Sequence, residues 1–396
     1  MLWCLSTRSL QLILLIIVLT SLSFTIRTVY NFKSRGNENS LDLFCNPKKH
    51  VLFLKIHKAG SSTILNILYR YGEARGLKFA LPLRDHLGYP RRFKAGFVKN
   101  FTQNHTTNYN IICNHMRFNL PEVKKVMPNR TFYFSIIRNP VHVAESSFAY
   151  YKDISSAFDK VESLSEFVSN PAKYYSPAKL NSHYSRNLMW FDFGYDNNAE
   201  DTHDYVDAAI LELERTFDLV LISEYFDESL VLLKEALCWE MKDVSYFKLN
   251  ARTNASVVPI SPAMAEKVQA WNSLDWKLYR HFNGTFWQRV ASYGPERMRR
   301  DVAHLRTLRE RLMGDCLESS SPVAADQIKE EKLRPPEFGK AKILSYVLKS
   351  NLTSKAREFC QRMVMPEKYY LDLLHKKQLL PLLTRLRQSI KAAGVG

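Results

Sequence analysis

Acid is in short supply in this chain. Its 396 residues hold 39 Asp and Glu against 56 Lys and Arg, a formal net charge of +17. The deficit points to an anionic ligand, an acidic surface or a membrane, and says nothing about fold. Cysteine is sparse as well. Cys4, Cys45, Cys113, Cys238, Cys316 and Cys360 stand far apart, and their spacings fit no zinc site. No other cluster has metal-ligand spacing, so no metal is expected. The 13 glycines form no G-x-x-x-x-G-K-[ST] loop, which makes a Mg-nucleotide hydrolase or kinase a poor fit. No internal repeat is present, and nucleic acid is not an expected partner. Hydrophobic residues make up 46% of the chain, which argues against general disorder.

Long uncharged runs are rare too, with one exception. Between Arg8 and Arg27 lie 18 uncharged residues, about the minimum for a membrane span. Residues 9–26 are read as a single-pass anchor behind a cytoplasmic tail, 1–8. A cleaved signal peptide is the rival; the run is long for one, and no small-x-small cleavage site follows. Flanking charge leans the other way, with Arg8 before the run and Arg27, Lys33 and Arg35 after it. Glycosylation signals weigh more. Sequons begin at Asn100, Asn104, Asn129, Asn254, Asn283 and Asn351, all downstream of the run, and favour a lumenal or extracellular body. In an oxidising compartment one or two disulfides are expected among the last five cysteines, with one thiol left over.

Residues 27–48 are polar and aperiodic, like a stem. From Val51 the pattern becomes α/β. Strands are expected at Val51–Ile56, Tyr109–Cys113, Thr131–Ile137 and Phe217–Ile222. Helices are expected at Ser62–Tyr71, Val141–Tyr151 and Glu228–Leu237. Strands alternating with helices imply a mostly parallel sheet, here with long insertions. Residues 49–300 are taken as the catalytic domain. The remainder, 301–396, reads as mainly helical, with a polar linker near 317–340.

The junction VLFLKIHKAGSST, which begins at residue 51, joins a buried strand to a helix. Opening N–H groups of a helix lack intrahelical partners and carry partial positive charge. Lys58 adds a full charge, Gly60 permits close backbone approach, and Ser61, Ser62 and Thr63 add hydroxyl donors around Ala59. An ordinary capped helix is the plain alternative. A second element, SIIRNPVHVAESSFAYY, beginning at residue 135, sets Arg138 at a strand end and Ser146 on the next helix, where the two can share a phosphate.

Together, K-x-G-[ST]-[ST] after a first strand and R-N-P…S after a later one resemble the nucleotide-binding motifs of sulfotransferases. FLKIHKAGSSTILNILYRYGE, CNHMRF, FSIIRNP, NLMWFDFG and VLISEYFDESLVLLKEAL resemble the galactose-3-O-sulfotransferases in particular, over about residues 48–290. The resemblance implies a P-loop-like sulfotransferase fold and 3′-phosphoadenosine 5′-phosphosulfate as sulfate donor. It places the 5′-phosphosulfate at Lys58, Ala59, Gly60, Ser61, Ser62 and Thr63, and the 3′-phosphate at Arg138 and Ser146. It further implies a Golgi membrane enzyme whose acceptors are galactose-terminated glycans on glycoproteins.

Sulfuryl transfer needs a base for the acceptor hydroxyl, positive charge on the transferring group and a stabilised leaving phosphate. Lys58 fits the last role. His115, just after the second strand, is the preferred base, and His57 is its rival. Arg252 is a candidate to close over the nucleotide, although its loop lacks the R-K-G run of cytosolic sulfotransferases. Arg117 is a further cation beside His115. Tyr184, Trp190 and Phe191 are candidates to stack on sugar, against a simple core role. Other readings stand beside this one: sulfation of galactosylceramide, sulfation of a glycosaminoglycan, or a non-catalytic membrane-anchored carbohydrate-binding glycoprotein.

Overall fold

The computed structural model describes residues 45–102, 109–253, 256–336 and 341–392. The expected anchor and tail, most of the stem, and the sequons at Asn104 and Asn254 lie outside these residues. Among the described residues no helix is long and apolar enough to cross a membrane.

Four apolar runs form one parallel sheet: β1 (Val51–Leu54), β2 (Ile111–Ile112), β3 (Phe132–Ile137) and β4 (Leu219–Ile222), in the order β2-β1-β3-β4. Val51 lies in register with both Ile111 and Phe132, and Phe134 with Leu219. Every strand residue is buried, the pattern of a sheet covered on both faces. Phe53 stacks on Phe134 with ring centroids 4.9 Å apart, tying β1 to β3. Each of the four strands falls within the segment expected from the apolar pattern.

The helices used below are α1 (Ser61–Ala74), α2 (Pro140–Tyr151), α3 (Leu188–Asp192), α4 (Phe226–Leu237), α5 (Ser273–Tyr293), α6 (Pro295–Cys316), α7 (Ser354–Val364) and α8 (Glu367–Ala392). Local chemistry sets their starts. On α2, Pro140 occupies the first turn and the Asn139 side chain accepts from the Val141 N–H at 3.0 Å.

The described residues from Lys48 onward belong to one compact unit. α6 runs unbroken through residue 300 and ends at Cys316, which is disulfide-bonded to Cys360 on α7. Cys45 and Cys238 are also disulfide-bonded, and Cys113 is a buried free thiol. Within the stretch expected as a linker, residues 317–336 pack against the rest of the chain. β5 (Val323–Ala324) pairs antiparallel with β6 (Leu344–Ser345), and Ile328 and Leu333 are buried in the main core. Its polar composition hides those few apolar anchors. α8 buries Tyr370, Leu371 and Leu374 in the same core. The Tyr370 hydroxyl donates to Glu73 Oε2 at 2.5 Å, and the Gln378 amide brackets Phe79, accepting from its N–H at 2.7 Å and donating to its carbonyl at 3.2 Å. Among the sequons, Asn100, Asn129 and Asn351 are exposed, whereas Asn283 lies inside α5 with its Oδ1 buried.

Candidate active site

The four strands run the same way, so their C-terminal ends share one edge, where ligands of parallel sheets bind. β1 delivers Lys55, His57 and Lys58 to that edge, β2 delivers His115, and β3 delivers Arg138. β1 lies between β2 and β3, so the strand order switches at the loop that follows it.

That loop is shaped for close approach. Lys58 and Gly60 both adopt left-handed backbones, at φ 59° and 74°. A Cβ on Gly60 would lie 3.3 Å from Ser223 Oγ, so both the angle and the space favour glycine. No side chain caps α1 and its first turn holds no acidic residue, which leaves its positive end for a bound anion. The hydroxyls divide their work. Ser61 Oγ donates to the Ile56 carbonyl at 2.7 Å, and Thr63 Oγ1 accepts from the Leu249 N–H at 3.1 Å. Both are buried and hold the loop. Ala59 is buried as well, while Ser62 is partly exposed.

Four cations gather here: Lys55, Lys58, Arg138 and Arg252. Arg138 Nη1 donates to the Lys58 carbonyl at 3.2 Å, and Lys58 Nζ lies 3.5 Å from the centre of the Tyr150 ring. Burial, then the positive charges of Arg252, Arg138 and Lys55, push Lys58 well below the ordinary lysine value. Burial likewise lowers Arg138. Cations crowded together with too little negative charge are the electrostatics of an anion site. Ser146 is buried on α2. Arg252 reaches the same helix, but through Glu145: its Nη2 lies 2.5 Å from Glu145 Oε2, and both side chains are under a tenth exposed. The guanidinium expected to close over a nucleotide is held by an internal carboxylate in this state.

Beside the loop stands a histidine with a carboxylate behind it. Asp192 is fully buried at the end of α3. Its Oδ2 accepts from the His57 backbone N–H at 2.8 Å and lies 2.8 Å from His57 Nδ1. An ionised carboxylate only accepts, so Nδ1 carries hydrogen and Nε2 is the free basic nitrogen. α3 is itself fixed by the buried Asp275, whose carboxylate accepts from the N–H groups of Met189 and Trp190 at 3.1 and 2.8 Å. Burial raises Asp275 to about 7.

His115 is engaged at both nitrogens. Nε2 lies 2.7 Å from Lys55 Nζ, and Nδ1 lies 3.0 Å from the Lys55 carbonyl. Lys55 Nζ also donates to Glu367 Oε2 at 2.9 Å. Burial, then His57 and Lys55, hold His115 well below the ordinary histidine value. The two imidazoles stack on each other. The structure thus brings both base candidates to one place and leaves His57 the nitrogen that can take a proton.

Aromatic rings wall this site. Tyr89 lies 4.5 Å from the His57 ring, and Tyr184 stacks on Tyr151 at 3.8 Å with its edge toward His57. Phe191 packs under Arg117, whose guanidinium carbon is 3.9 Å from the ring centre. Arg117 also donates to the Tyr195 carbonyl at 2.7 Å. Trp190 is different: it is fully buried, so it is core and not a sugar platform.

Sequence reasoning singles out none of Lys55, Tyr89, Asp192 or Glu367. Two carried a signal. Lys55 is a charge inside the apolar run VLFLKI, and Asp192 is a lone acid among LMWF and FG; each needs a buried partner. Among the described residues no group of three His, Cys, Asp or Glu side chains is placed to hold a metal.

An uncapped helix start ringed by cations, next to a carboxylate-held imidazole, is an arrangement suited to an anionic ligand beside a proton acceptor. Comparison with known proteins names the family. The family model described as galactose-3-O-sulfotransferase matches residues 2–378. The chain is 48% identical to galactose-3-O-sulfotransferase 2 of Mus musculus over 338 residues, covering 84% of this chain and 86% of that one. It is 45% identical to the Homo sapiens protein of that name over 373 residues, 92% and 93% of the two chains. It is also 44% identical to Homo sapiens galactosylceramide sulfotransferase over 338 residues, 83% and 79% of the two. This protein is a sulfotransferase enzyme. It belongs to the galactose-3-O-sulfotransferase family.

Proposed function

We propose that the protein transfers a sulfuryl group to the 3-hydroxyl of terminal β-galactose on glycoprotein glycans. The donor, 3′-phosphoadenosine 5′-phosphosulfate, supplies that group already activated. The residues present fit it: the left-handed loop, the open α1 terminus and Lys58, which burial and neighbouring cations hold below the ordinary lysine value, suit a phosphosulfate. Arg138 and Ser146 would hold the 3′-phosphate, with Arg252 turning to it from Glu145. The architecture is read as a P-loop-like sulfotransferase fold. We also place the protein in the Golgi membrane, anchored by residues 9–26 with its body in the lumen.

The observation that carries the mechanism is the His57–Asp192 pair beside Lys58. His57 Nε2 takes the proton of the acceptor hydroxyl as that oxygen attacks sulfur. Asp192 holds the ring and steadies the charge it acquires. Lys58 stabilises the negative charge left on the departing phosphate. The aromatic wall orients the sugar. Galactosylceramide is the second acceptor reading, because relatives at 44% identity are named for it.

The test uses the full-length protein in detergent, radiolabelled donor, and terminal β-galactosides on glycoprotein glycans and on ceramide. Transfer is expected to glycoprotein galactose, and to vanish with 3-deoxygalactose and in Lys58→Ala and His57→Ala. Transfer confined to galactosylceramide moves the acceptor to lipid. Donor binding with no transfer to any galactoside refutes the reading.

A further inference from the structure

The last helix of the described residues, α8, reaches the sheet edge. Glu367 opens α8 and sits 312 residues from Lys55 in sequence, yet its Oε2 lies 2.9 Å from Lys55 Nζ. The Lys55 side chain is 3% exposed. A buried ammonium needs a compensating anion, and among the described residues Glu367 is the carboxylate that forms its ion pair.

The consequence passes to His115. An ammonium has only donors, so the 2.7 Å contact makes His115 Nε2 the acceptor. Nδ1 therefore bears the hydrogen and donates to the Lys55 carbonyl at 3.0 Å. One residue thus grips the ring at both ends, through its side chain and its backbone. That ring lies flat against His57, centroids 3.9 Å apart and planes 13° from parallel. His57 is fixed by Asp192 at its Nδ1 and backbone, and by His115 on its face.

We propose that Glu367 is a positioning residue for sulfuryl transfer: it holds Lys55 on His115 Nε2, which locks the His115 tautomer and ring, and so sets the plane of His57. The C-terminal helix is then part of the catalytic apparatus and not only a packing element. This rests on the reading of His57 given above.

The test compares full-length wild type with Glu367→Gln, which keeps the shape and an acceptor but removes the charge. Glu73→Gln is the control. It weakens another fastening of α8, where Glu73 meets Tyr370 and Lys377 and also Arg362 of α7. Proteins labelled with 15N-histidine report the His115 tautomer. Wild type should show hydrogen on Nδ1 and a hydrogen-bonded Nε2. Glu367→Gln should lose that signature and lower kcat by about 100-fold, with donor KM little changed. Glu73→Gln should keep both. The inference is overturned by an Nε2–H tautomer in wild type, by Glu367→Gln with wild-type tautomer and kcat, or by Glu73→Gln reproducing the whole effect. If Glu367→Gln does not fold, the wild-type tautomer still decides. If wild type sulfates no galactoside, the reading above fails, and the tautomer comparison still tests Glu367.

Discussion

His57 lies face to face with His115, ring centroids 3.9 Å apart, and the two are held by different partners. Asp192 grips the first and Lys55 the second. Two adjacent imidazoles thereby take different jobs. One has a free nitrogen, and the other has both nitrogens engaged.

Single substitutions should separate these jobs. His57→Gln should lower kcat by roughly 100- to 10,000-fold, the usual worth of a general base, while donor affinity stays near wild type. Asp192→Asn should also lower kcat and spare donor binding, because the ring loses its fixed tautomer. His115→Asn should cost less than His57→Gln. Rapid-quench kinetics alongside equilibrium donor binding would check this. Full activity in His57→Gln together with none in His115→Asn would reverse the assignment.

Lys58 predicts how donor binding depends on pH. In the free protein its value lies well below the ordinary 10.5, from burial and from Arg252, Arg138 and Lys55. A bound phosphosulfate favours the charged form and raises it again. Between the lowered and the raised value, binding takes up a proton. Donor affinity should therefore fall as pH rises through that window. Titration calorimetry in two buffers of different ionisation enthalpy would measure the uptake, and Lys58→Met should abolish it. Equal uptake in wild type and Lys58→Met would rule out this residue as the proton's destination.

The pair of Arg252 and Glu145 is buried on both sides, with side-chain exposures of 9% and 7%. Breaking it from one side strands a charge. Arg252→Met should destabilise the fold by about 3–5 kcal/mol, and Arg252→Met with Glu145→Gln should recover much of that. Donor binding should respond differently. Glu145→Gln frees the guanidinium and tightens binding, whereas the double variant binds weakly. Chemical denaturation and donor titration on the four proteins complete the cycle. Wild-type donor affinity in the double variant would remove Arg252 from the donor site.

Much of this arrangement could be read from the chain. β1, β3 and β4 announce themselves as apolar runs, and Gly60 and Lys58 mark the turn by residue type alone. Arg138 and Ser146 follow from their place after β3. Partnership was not legible in the same way. Nothing local tells that Glu145 holds Arg252, or that Asp192 waits behind His57, because each pair joins segments about a hundred or more residues apart. The polar stretch 317–336 hides its anchors for a related reason. Ile328 and Leu333 are too few to make a pattern, yet enough to anchor it. A histidine's function is equally hidden, since His57 and His115 differ in what they touch and not in what they are.

The contact between β1's end and α8 also orders events in time. Synthesis runs from the N-terminus and domains fold as their chain emerges. The strand bearing Lys55 is made long before the helix bearing Glu367, so every recognisable motif exists while the lysine still has no carboxylate to face. A nascent chain can thus carry the whole signature of the family and still lack the Lys55–Glu367 contact. On the proposal made for Glu367, α8 acts as the closing stone, set after the motifs it completes.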